Sequence, residues 1–172
     1  MLEVVLVDDN DNEIGTMEKL EAHQKAILHR AFSVFIFNDK NEMLLQQRSF
    51  EKYHSPGLWS NACCSHPKLG ENVKESAKQR LYEEMGIKVE LNKVFDFVYK
   101  AEFSNGLTEH EFDHVFIGYY NDEMKPNSKE VFSYCYKPIN TIQNEIKKNP
   151  SLFSEWFKIA LPKVINSLKK AH

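Results

Sequence analysis

Short apolar runs separated by polar turn clusters dominate the first third of the chain. Residues 4–7 predict a strand. The cluster Asp8-Asp9-Asn10-Asp11-Asn12 that follows is turn chemistry, without the spaced Gly and terminal Glu of a calcium loop. Residues 20–29 have the residue types of a short helix. Residues 31–37 read as a buried strand, and 38–41 as the turn into a second strand over 43–48, so the two make a hairpin. Between 49 and 60 the residues Lys52, Tyr53, His54, Pro56, Gly57 and Trp59 break any periodicity, which predicts a long loop of the kind that carries function.

The period then changes. Asn72-Val73-Lys74-Glu75 has the form of a capping box, apolar Val73, Ala77 and Leu81 recur every four residues, and Gly86 is a natural stop, so this stretch predicts a helix. Residues 88–103 are strand-rich, Ser104-Asn105-Gly106 is a turn, and 107–120 form a long second strand on which the period of two puts Glu109 and Glu111 on one face. A strand over 131–136, a helix start at 140–143, a break at Asn149-Pro150 and a last amphipathic helix over 154–170, with Trp156 in its first turn, complete the pattern.

Composition narrows what such a chain does. At 172 residues it predicts one domain over 1–172, with ordinary globular hydrophobic (42%) and charged (27%) fractions. A net charge of −3 gives no general attraction for nucleic acid or anionic membrane, so any anion must be bound locally. The longest apolar run, over 31–37, is far short of the ~20 residues that span a bilayer. The N-terminus has no basic lead and no small-residue cleavage site, which points to a cytoplasmic protein. Three cysteines, two of them adjacent, make no disulfide framework, and reduced thiols are expected.

The candidate chemistry gathers around Cys63-Cys64-Ser65-His66. In an extended segment Cys64 and His66 share a face, placing a thiol beside an imidazole, while Cys63 and Ser65 point the other way. His23 and His29 are six apart, and at about 100° per residue they converge only if the predicted helix ends between them.

Taken together, His23, Leu28-His29-Arg30-Ala31-Phe32-Ser33, Pro56-Gly57-Leu58-Trp59, Cys64-Ser65-His66-Pro67, Glu83-Glu84-Met85-Gly86 and Glu109-His110-Glu111 resemble type 1 isopentenyl diphosphate isomerase, a metal-dependent family built on the Nudix fold. The likeness runs over about residues 2–160 and rests on the order and spacing of several short motifs. It implies an α/β (α+β) fold, a Nudix-like mixed β-sheet sandwich with flanking helices. Glu71, Glu83-Glu84 and Gly86-Ile87 resemble a Nudix box, but Gln79-Arg80 stands where a Nudix hydrolase has Arg-Glu, a departure that argues against hydrolysis.

The resemblance further implies a divalent ion (Mn2+, Mg2+ or Zn2+) on His23, His29, His66, Glu109 and Glu111. It also implies Mg2+ bridging the substrate diphosphate, held by Glu84 and the backbone oxygen of Cys64. Lys19, Arg48, Lys52 and Arg80 are then the diphosphate-binding bases.

The implied reaction moves the double bond of isopentenyl diphosphate, a small prenyl diphosphate, by adding a proton on one side and removing one from the other. Glu111 with Tyr99 is the implied proton-delivery group, Cys64 the base on the opposite face with a pKa lowered by nearby cations, and Trp156 the π face toward the carbocation. A three-residue loop at 104–106 pairs Tyr99 with Glu111, whereas a two-residue turn puts Tyr99 on the wrong face. A Nudix diphosphate hydrolase and a non-catalytic metal or prenyl-diphosphate binding protein are the alternatives. The first releases phosphate and the second turns nothing over.

Overall fold

The computed structural model describes residues 2–171, and among these it has nine strands and four α-helices. The strands are β1 (Glu3–Val7), β2 (Glu13–Glu18), β3 (His29–Phe37), β4 (Met43–Arg48), β5 (Trp59–Ser60), β6 (Cys63–Ser65), β7 (Asn92–Glu102), β8 (Thr108–Tyr119) and β9 (Val131–Lys137). The helices are α1 (Lys19–Lys25), α2 (Val73–Met85), α3 (Ile139–Lys148) and α4 (Glu155–Lys170), with a 3-10 turn at Pro150–Leu152. No described helix is long and apolar enough to cross a membrane.

Strand β3, buried along its whole length, is the centre of the sheet. It runs parallel to β8 from His29↔Glu111 to Phe37↔Tyr119, and antiparallel to β1, β4 and β6. Its even positions Phe32, Val34 and Ile36 pack with Ala77, Leu81 and Met85 of α2. Its odd positions Phe35 and Phe37 pack with Phe157, Ala160, Leu161 and Val164 of α4. Sheet between helices, with the layers fixed by the period of two, is the sandwich expected from the sequence.

The elements differ from the sequence reading in four places. The first helix stops at Lys25 rather than continuing to His29, because Ala26 adopts a left-handed conformation (φ 55°) and closes the helix with its N–H on the Ala22 carbonyl. His29 is then free to join β3. The expected loop over 49–60 ends in a strand, since Trp59 and Ser60 pair with Gln47 and Gln46 of β4. The strand expected from 88 begins at Asn92. Strand β2, which no apolar pattern marks, exists because all but its last step of pairing runs in register with β1.

Candidate active site and metal centre

His23, His29, His66 and Glu111 arrive from four elements or their ends. The last turn of α1 brings His23, the first residue of β3 His29, the residue after β6 His66, and β8 Glu111. One ligand atom from each lies within 4.8 Å of all the others. The three imidazole centroids are 5.1, 5.1 and 6.1 Å apart. His29 is aimed by its Nδ1, which donates to the Ile27 carbonyl at 2.8 Å and leaves Nε2 facing the cluster. Glu111 Oε1 lies 2.8 Å from His66 Nε2 and 3.4 Å from His29 Nε2.

These groups suit a divalent cation. His23 Nε2 and His29 Nε2 are buried with no hydrogen-bond partner among the described residues, a costly arrangement that a metal ion relieves. Burial and the neighbouring imidazoles push His23 down to about 3, and burial brings His66 to about 4, so both stay neutral and keep the lone pair a metal needs. Burial opposes ionisation of Glu111, but His66 and His29 overcome it and hold the carboxyl well below its ordinary value.

Glu109, the fifth expected ligand, stands outside the group of four. The register Tyr99↔Glu111 and Ala101↔Glu109, with Phe103 N–H on the Leu107 carbonyl, is the one expected from a three-residue loop. It puts the Tyr99 hydroxyl 2.7 Å from Glu111 Oε2 and 3.1 Å from Glu109 Oε2. One O–H donates once, so it serves the nearer, ionised Glu111. Burial and then the Glu111 charge raise the Glu109 pKa to about 8.

The paired cysteines face opposite ways, as alternation predicts. Cys63 is fully buried in the core under α2, whereas Cys64 pairs with Ser33 and packs toward α4. Cys64 Sγ contacts Asn61 Nδ2 and Oδ1 at 3.1 and 3.2 Å and Ser33 Oγ at 3.4 Å. Ser33 in turn donates to Asp113 at 2.7 Å. The expected lowering of the thiol pKa by cations is not met. Burial, and next the Asp113 carboxyl, push it up instead, so Cys64 carries its proton.

Both groups open into a cavity of about 770 Å³, ordinary for a small-molecule site, which also takes in Lys19, Arg48, Lys52, Arg80, Glu84, Tyr99, Glu109 and Trp156. The basic residues have distinct partners. Arg48 donates to the carbonyls of Ser55 and His54 and lies 5.0 Å from the centre of the Trp156 ring. Lys52 pairs with Glu130, and Arg80 binds Glu83, Glu84 and Glu130 at 3.1–3.2 Å. Burial lowers the pKa of Lys19 against the pull of Glu111 and Glu109. Glu84 is buried, with Gln46 Nε2 at 3.0 Å and Arg80 one turn earlier on the same face of α2. Glu71 lines the same cavity and serves the start of α2, accepting from Lys68 N–H and Ser76 Oγ.

Sequence reasoning missed Ser33, Gln46, Asn61, Asp113 and Glu130. Asp113 had a signal, since it continues the Glu109, Glu111 face of β8 by the same period. Ser33 becomes a neighbour of Cys64 only through strand pairing, Gln46 reaches Glu84 across to α2, and Asn61 lies three residues before Cys64.

A model of the NUDIX domain family matches residues 27–157. The chain is 48% identical over 164 residues to an isopentenyl-diphosphate Delta-isomerase of Pectobacterium atrosepticum, covering 95% of this chain and 92% of that one. It is 45% identical over 154 residues to one from Serratia proteamaculans, with 90% and 86% covered. Among solved structures, DR0079 from Deinococcus radiodurans superposes with a TM-score of 0.77 at 13% identity, covering 94% of this chain and 98% of that one. The MutT protein from Methanosarcina mazei Go1 gives 0.67 at 19%, covering 83% and 96%. The solved structures share the fold, while the relatives at nearly half identity reach from end to end of the site: the chain belongs to the isopentenyl-diphosphate Delta-isomerase family of the NUDIX superfamily.

Proposed function

We propose that this chain, as one domain over 1–172 and in the cytoplasm, isomerises isopentenyl diphosphate to dimethylallyl diphosphate by moving a proton across the allylic carbons. The observation that carries the reading is that one cavity holds Cys64, the Tyr99–Glu111 pair and the bases Lys19, Arg48, Lys52 and Arg80. Isomerisation needs all three, since an unactivated alkene must be protonated and deprotonated at different carbons while its charged end is held still. Hydrolysis gives no reason for a protonated thiol in the pocket.

His23, His29, His66 and Glu111 would hold the divalent ion, Mn2+, Mg2+ or Zn2+, with Glu109 available from the far side of Tyr99. Mg2+ would sit at Glu84 and the Cys64 carbonyl. When bound, the ions supply charge neutralisation at the diphosphate and a fixed geometry around Glu111. Lys19, Arg48, Lys52 and Arg80 anchor the diphosphate. Cys64 stands on one side of the substrate carbons and Tyr99–Glu111 on the other. Burial favours the protonated form of Cys64, and the neighbouring imidazoles favour the ionised form of Glu111. The reaction is reversible, and its two directions use the pair in opposite order. The ring of Trp156 offers its π face to the tertiary cation between them.

Glu111→Gln tests this assignment. We expect it to bind inorganic pyrophosphate within a few-fold of wild type and to lose ~100-fold to 10,000-fold or more in turnover. Metal content measured alongside separates proton transfer from ligation, and a variant within a few-fold of wild-type turnover removes Glu111 from the mechanism.

A further inference from the structure

We propose that Glu130 makes this site accept its diphosphate only together with a divalent cation. This rests on the diphosphate reading above. Glu130 immediately precedes β9, and its position is set by the backbone. Its N–H donates to the Asn127 carbonyl, its carbonyl accepts from Ser49 N–H, and the next residue, Val131, pairs with Arg48 of β4. The register therefore delivers a carboxylate among the phosphate-binding bases, where one oxygen pairs with Lys52 and the other lies 3.2 Å from Arg80 Nη2. That same Nη2 is 3.1 Å from Glu84 Oε1, so the guanidinium is clamped between two carboxylates, while its Nη1 lies 3.2 Å from Glu83.

The charges in this corner decide what enters. Lys52 and Arg80 are both engaged by carboxylates, Lys52 by Glu130 and Arg80 by Glu83, Glu84 and Glu130. A bare diphosphate would have to displace Glu130 from both bases and then lie beside three carboxylates. A diphosphate carrying a divalent cation meets no such conflict: Glu84 and Glu130 turn to the cation, and Lys52 and Arg80 are released to the phosphate oxygens. Glu130 is thus a specificity residue. It makes binding of the anion conditional on the cation, so that free diphosphates do not fill the site.

Calorimetric titration of inorganic pyrophosphate into wild type and Glu130→Gln, each with a chelator and with Mg2+, tests this. Glutamine keeps the shape and removes the charge. Wild type should bind pyrophosphate at least about 100-fold more tightly with Mg2+ than with chelator, and in Glu130→Gln that ratio should fall about 10-fold, mainly because binding without the cation improves. Equal wild-type affinity in both arms overturns the proposal even if the variant does not fold. An unchanged ratio in the variant, or equal loss in both arms, also overturns it and makes Glu130 a structural tether for Lys52 and Arg80. Failure of wild type to bind pyrophosphate with Mg2+ defeats the diphosphate reading itself.

Discussion

At the scale of single residues, the adjacent thiols give the sharpest contrast. Cys64→Ala should lower turnover ~100-fold or more, whereas Cys63→Ala should leave turnover within a few-fold and cost on the order of 1 kcal/mol of stability through lost packing. Paired turnover and urea-unfolding measurements check this, and equal turnover in the two variants would remove Cys64 from the chemistry. The opposite facing of these cysteines was legible because alternation in an extended segment needs no knowledge of partners. The raised pKa of Cys64 was not, because it comes first from burial and next from Asp113, which reaches the thiol through Ser33 from 49 residues away in the chain, across the parallel ladder of β3 and β8. The place of Glu109 was half legible: its face followed from the period of two, but its standing outside the group formed by His23, His29, His66 and Glu111 did not.

At the scale of elements, α2 was readable from a four-residue apolar recurrence ending in Gly86 and the β7–β8 hairpin from its turn residues, while the register of that hairpin followed only from the pairing of Tyr99 with Glu111 that the family resemblance demands. Strand β2 was not readable, since its residues are exposed or only partly buried and no alternation of polarity survives in them. Gly86 is the feature on which α2 most depends. It closes the helix at φ 71°, and a Cβ built there would lie 2.8 Å from the Lys125 carbonyl oxygen. Gly86→Ala should therefore destabilise by roughly 2 kcal/mol or more, combining the left-handed strain with a clash against backbone. Urea unfolding measures it, and a change under 0.5 kcal/mol, roughly the noise of a surface substitution, would contradict this account of the cap.

At the scale of the whole molecule, the candidate metal centre draws on α1, β3, β8 and the residue after β6, and its imidazoles should make stability depend on pH. His23 and His66 are held below their ordinary 6.5 in the folded chain. Below 6.5 the unfolded chain therefore takes up protons first. Stability of the metal-stripped protein should fall as pH drops from 6.5 toward 4, by on the order of 1 kcal/mol per pH unit for each imidazole at most, while above 6.5 these residues contribute no pH dependence. Urea midpoints across pH in the presence of chelator check this, and a His23→Gln, His66→Gln double variant should flatten the acid limb. The central claim, that the chain moves a double bond rather than cleaving a diphosphate, is tested most directly by following isopentenyl diphosphate and Mg2+ in deuterated buffer by proton and phosphorus NMR. The account predicts dimethylallyl diphosphate with deuterium introduced at carbon and both phosphates intact; release of phosphate, or unchanged isopentenyl diphosphate beside fully metallated protein, would contradict it.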